Sequence, residues 1–70
     1  MDIETNAVKT IEITGVSTTG FEDAIDKAVA KAAESVSGIT TVEITRQTAD
    51  VRDGRVAAYR ATVKLSFIVR

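Results

Sequence analysis

Seventy residues, with no cysteine or histidine and nine basic residues set against ten acidic ones for a net charge of −1, describe a single small domain at most. Disulfides, zinc–thiolate centres and cysteine or histidine catalysis are excluded at once. No run of lysine or arginine offers a footprint to a nucleic-acid backbone. A core of this size supplies no more than about 3–5 kcal/mol unaided, so self-association is the staple that remains.

Residues 1–7 read as a loose polar leader on a single domain covering residues 1–70. They lack the apolar run of a signal peptide, and no segment approaches the roughly 18 apolar residues of a membrane span. A cytoplasmic location, with neither membrane nor nucleic acid as partner, is the expectation.

From Val8 to Val16 the chain is β-branched and alternates, with Ile11 and Ile13 on one face and Thr10, Glu12 and Thr14 on the other, the period of a half-buried strand. Gly15 and the cluster Ser17-Thr18-Thr19-Gly20 read as the interruption that follows. Thr19 and Glu22 have the spacing of a capping box. The alanine-rich stretch from Phe21 to about Ser37 contains no proline and predicts a helix. Its apolar stripe is Phe21, Ile25, Ala28, Val29, Ala32 and Val36. Glu22, Asp23, Asp26, Lys27, Lys31 and Glu34 lie on the solvated side. Asp23 and Lys27 are a favourable pair four residues apart, and Gly38 stands where a helix-ending glycine is expected.

A second strand is predicted from about Ile39 to Ala49, with Val42 and Ile44 on one face and Thr41, Glu43, Thr45 and Gln47 on the other. Residues Asp50 to Arg55 read as a hairpin turn whose Asp53-Gly54 pair supplies positive φ angles; Asp50 and Asp53 are turn formers in this reading. The third strand, Arg55 to Arg70, alternates most clearly, with Tyr59, Ala61, Val63, Leu65, Phe67 and Val69 set against Arg60, Thr62, Lys64, Ser66 and Ile68.

A strand–helix–strand–hairpin–strand order closes most simply as an α+β fold of the β-α-β-β type. The third strand lies antiparallel between the first two, in the order β1-β3-β2, around one helix. The lengths do not match. Sixteen strand residues reach about 53 Å, whereas seventeen helical residues reach about 26 Å. The apolar strand end that projects beyond the helix requires cover, and a second copy of the chain supplies it.

The segments Ile11-Glu12-Ile13-Thr14-Gly15-Val16-Ser17 and Phe21-Glu22-Asp23-Ala24-Ile25 resemble the strand-to-helix signature of dodecins. So do Asp53-Gly54-Arg55-Val56-Ala57-Ala58-Tyr59 and Val63-Lys64-Leu65-Ser66-Phe67. The resemblance spans nearly the whole chain in order and spacing. It implies a sheet wrapped around one helix and a hollow homododecamer of tetrahedral symmetry. It also implies a role in holding flavin (FMN or riboflavin) rather than in catalysis.

By position, the family's stacking tryptophan falls on Thr41 and its glutamine on Arg60. A threonine removes an aromatic surface worth about 0.5–1.5 kcal/mol beyond simple burial, and an arginine donates hydrogen bonds but cannot accept them. The resemblance thus implies a tryptophan-less variant in which flavin is held weakly or not at all. Alternation independently puts Thr41, Glu43, Gln47 and Arg60 in the polar rows, and these four are the candidate ligand-binding residues. An ion pair between Arg60 and Glu43, of the same or a neighbouring chain, is favoured over an anion site at Arg60.

The alternative reading is a structural or divalent-cation shell. No calcium-loop motif exists, so calcium or magnesium would need carboxylates from several chains. An enzyme is the least supported class: there is no phosphate loop and no nucleophile elbow, Glu22 and Asp26 lie on a solvated helix face, and Tyr59 falls on the apolar side.

Overall fold

The computed structural model describes residues 7–69 of the chain. Strand β1 runs Ala7–Ser17, helix α1 Phe21–Ala33, strand β2 Ile39–Arg52 and strand β3 Arg55–Val69. The three strands form one antiparallel sheet in the order β1-β3-β2. Of the expected leader, residues 1–6 lie outside the described residues, as does Arg70 at the end of the third strand, and Ala7 already belongs to β1.

Helix α1 packs chiefly on β1 and β3 and touches β2 only marginally. The alternation of β3 holds: Ala61, Val63 and Leu65 are wholly buried beneath the helix. Their cover is Ala24, Ala28 and Ala32, one residue per turn on a single helix face. The expected stripe contained Ala28 and Ala32 but not Ala24, and its larger members Ile25 and Val29 flank the core as partly buried residues. A helix that presents methyl groups lets its axis come close to the sheet. Gly15 marks the closest approach, because a Cβ there would stand 1.9 Å from the carbonyl oxygen of Ala24.

Gly15 is thus part of β1 and buried, whereas the sequence reading placed an interruption there. The strand can continue because a glycine leaves the ladder intact while removing the side chain that would block the helix.

The helix also begins and ends differently. Its N-cap is Gly20, in extended backbone and without a side-chain cap bond, so the Thr19–Glu22 capping box does not form. Ser17 does the local work. Its hydroxyl donates to Asp23 Oδ2 at 2.6 Å and accepts from the Thr19 amide at 2.9 Å. The Thr19 hydroxyl is occupied by the same oxygen, 2.9 Å away. The Lys27 ammonium donates to Asp23, as the four-residue spacing predicted.

The helix stops at Ala33 rather than near Ser37. Glu34 caps it, and the serines and valine that follow are poorer helix formers than the alanines before them. Gly38, at φ 76°, turns the chain into β2 rather than ending the helix itself.

Strand β2 continues through Asp50, Val51 and Arg52, all expected in the turn, and only Asp53 and Gly54 form the hairpin loop. Both have positive φ, 54° and 75°, the conformation a two-residue primed turn demands.

β2 also carries three register shifts, between Ile39 and Thr41, Ile44 and Arg46, and Asp50 and Val51. The residues passed over in the first two are both threonines. Thr40 donates its hydroxyl to the Ser66 carbonyl at 3.2 Å and Thr45 to the Thr62 carbonyl at 3.1 Å. Side-chain hydroxyls thus bond β3 carbonyls where the bulges break the regular pairing.

Candidate ligand site

The sheet has a helix face and an outer face. In antiparallel pairs, directly opposed residues share a face, so the register maps the outer one. Thr10, Ser66 and Thr41 form one row and Glu12, Lys64 and Glu43 the next. Thr14, Thr62 and Arg46 follow, then Val16, Arg60 and Thr48.

Three of the four sequence candidates, Thr41, Glu43 and Arg60, are on this face, and Gln47 is not. It opposes Ala61, one of the buried helix-side residues. The bulge at Thr45 shifts the alternation by one, so Arg46 takes the outer position opposite Thr62 that a regular strand would have given Thr45, and Thr48 takes the one opposite Arg60 that would have been Gln47's. No local signal in the sequence announces that bulge beyond the threonine that fills it.

Thr41 and Arg60 do not form one site within a chain. Thr41 opposes Ser66, six residues along β3 from Arg60, a separation of about 20 Å at the rise of a strand.

Arg60 is also engaged. Its Nε lies 3.1 Å from both carboxylate oxygens of Asp50, and this bond holds the guanidinium pKa above its ordinary value. The in-chain partner of Arg60 is therefore Asp50 and not Glu43, which opposes Lys64. Continuation of β2 through Asp50 makes the pair: Asp50 opposes Ala58, two residues from Arg60 on the same face, a diagonal contact within reach of a long side chain.

Aromatic surface is absent from this area. The chain has two phenylalanines, one tyrosine and no tryptophan. Phe21 and Tyr59 meet edge to face with ring centroids 5.0 Å apart, at the mouth of the helix–sheet core as the alternation of Tyr59 predicted. Phe67 opposes Ile39 on the helix side. Thr41 presents no ring on which an aromatic ligand could stack, and the guanidinium of Arg60 is engaged by Asp50. Among the described residues no group of three carboxylates is close enough to hold a metal ion, and no helix is long and apolar enough to cross a membrane.

A short β-α-β-β chain, with a three-stranded sheet packed on one helix and its long outer face open, defines the structural class. The family model described as Dodecin matches residues 7–70, and the chain belongs to the dodecin family.

Dodecin from Streptomyces coelicolor superposes with a TM-score of 0.92 at 25% identity, covering 97% of each chain. The tt0972 protein of Thermus thermophilus, at 23% identity and a TM-score of 0.89 over 94% of this chain and 97% of that one, shows the same fold. A Mycobacterium tuberculosis protein described as a calcium-chelating calcium dodecin with a novel calcium-binding site is 34% identical, with a TM-score of 0.81 over 91% of each chain. No curated protein matches the sequence.

Proposed function

We propose that the chain is the protomer of a hollow homododecamer that binds or stores a small ligand without catalysing a reaction, and whose flavin binding is weak or lost. The carrying observation is apolar surface that one chain leaves open. The sheet and helix extend over 54 Å, yet the one helix among the described residues has 13 residues, about 20 Å of cover. Val42 and Ile44, on the helix face of β2, remain 42% and 46% exposed, and Val51 at the hairpin reaches 67%. Further copies of the chain are the cover that a small core needs.

Thr41 and the engaged Arg60 argue that the usual ligand is displaced. A second reading, a cation-holding shell, is favoured by the calcium-chelating relative. In this reading carboxylates from several chains converge on symmetry axes.

Native mass spectrometry of freshly purified protein tests both readings. Twelve copies of the 7.5 kDa chain give about 90 kDa. Mass steps above that value weigh an organic ligand, whereas small steps removed by a chelator favour the cation reading. A lone 7.5 kDa species would refute the assembly.

A further inference from the structure

We propose that the outer face of the sheet holds a small oxyanion of the phosphate class between Arg46 and Lys64. These two cations line a hollow of about 410 Å³ together with Glu12, Thr14, Thr45 and Thr62. The inference uses side chains of one chain and does not rest on the dodecamer.

Three features support it. The bulge at Thr45 is what brings Arg46 to this face, opposite Thr62. Lys64 is two residues beyond Thr62 on the same face, so Arg46 and Lys64 are diagonal neighbours about 7–8 Å apart at the backbone. Two long flexible cations at that spacing can converge on one tetrahedral anion.

Neither cation is spent. Among the described residues the ion pairs involve Lys27, Lys31 and Arg60 only. Glu12 and Glu43 flank Lys64 in the register without reaching ion-pair distance.

The hydroxyls divide their roles. Thr45 donates to the Thr62 carbonyl and is committed. Thr14 and Thr62 share one bond at 2.8 Å, in which either is donor. The accepting hydroxyl therefore keeps its own proton to offer the hollow. A phosphate would receive charge-assisted bonds from two sides and a neutral one from the threonine pair. Glu12 at the wall disfavours ligands whose negative charge extends beyond a compact head.

Inorganic phosphate titrated calorimetrically into the assembled protein at low ionic strength is expected to show saturable binding of one ion per chain. Arg46→Gln and Lys64→Gln should each weaken it about tenfold, the loss of one charge-assisted bond. Arg55→Gln, at the hairpin and outside the hollow, should leave it unchanged, and circular dichroism verifies that each variant is folded. Absence of saturable binding overturns the proposal. So does binding indifferent to either Arg46 or Lys64, and so does an equal loss in Arg55→Gln, the mark of diffuse attraction to surface charge.

Discussion

Asp23 connects the end of β1 to the first turn of α1, accepting from Lys27 in its own helix and from Ser17 in the strand. The bond from Lys27, followed by that from Ser17, holds its carboxyl pKa below the ordinary aspartate value. A depressed carboxylate pKa contributes stability that is fully present above the unfolded value, about 3.9. That contribution is lost as pH falls through the lower folded value. Asp23→Asn should therefore melt at a lower temperature than the parent at neutral pH, with the gap closing in acid below the folded-state pKa. Thermal melts across acidic and neutral buffers check this, and a gap that stays constant or widens in acid contradicts the assignment. The effect is small, since the pair is exposed and screened. At this scale the Asp23–Lys27 spacing was legible in the sequence. The Ser17 bond was not, because it depends on the strand delivering Ser17 beneath the helix start.

Among the elements, the contact of α1 with β1 depends on an absent side chain. Backbone blocks Gly15 on the helix side: its added Cβ would lie 1.9 Å from the Ala24 carbonyl oxygen and 3.1 Å from the Ala28 amide nitrogen. Gly15→Ala must lift the helix from the strand or distort both, an overpacking cost of roughly 1–3 kcal/mol or more. Urea unfolding should show a lowered midpoint, and a parental midpoint would mean that the helix can move freely. The second strand shows a limit of local reading. Alternation placed Thr41 and Glu43 correctly relative to Val42 and Ile44, but a period of two holds only while the ladder is unbroken. The shift at Thr45 puts Arg46 and Thr48 on the outer face in place of Thr45 and Gln47. Continuation of β2 through Asp50 likewise turns a presumed turn former into the partner of Arg60.

For the whole molecule, the issue is the mismatch between a long sheet and a short helix. Ile44 opposes Val63, yet Val63 is wholly buried while Ile44 remains 46% exposed. The helix covers the central strand and β1 and touches β2 only marginally. If neighbouring copies complete that cover, Ile44→Asp places a charge in a dry interface at a cost of several kcal/mol per site. Size-exclusion chromatography with light scattering should then find the variant at the mass of a single chain or unfolded. An Ile44→Asp protein that elutes at the parental particle mass would show that this surface lies outside the interface.

The sequence by itself determined the element order, the helix-facing residues of β3 and the Asp53-Gly54 turn. Each follows from periodicity or from the φ preferences of particular residues, both of which are local properties. The tertiary structure alone decided that Gly15 is buried beneath Ala24, that Arg60 pairs with Asp50, and that Arg46 rather than Gln47 faces outward. These depend on where strands slip past one another and how closely a helix approaches a sheet. Such distances are set by packing between residues far apart in the chain, and no single segment encodes them.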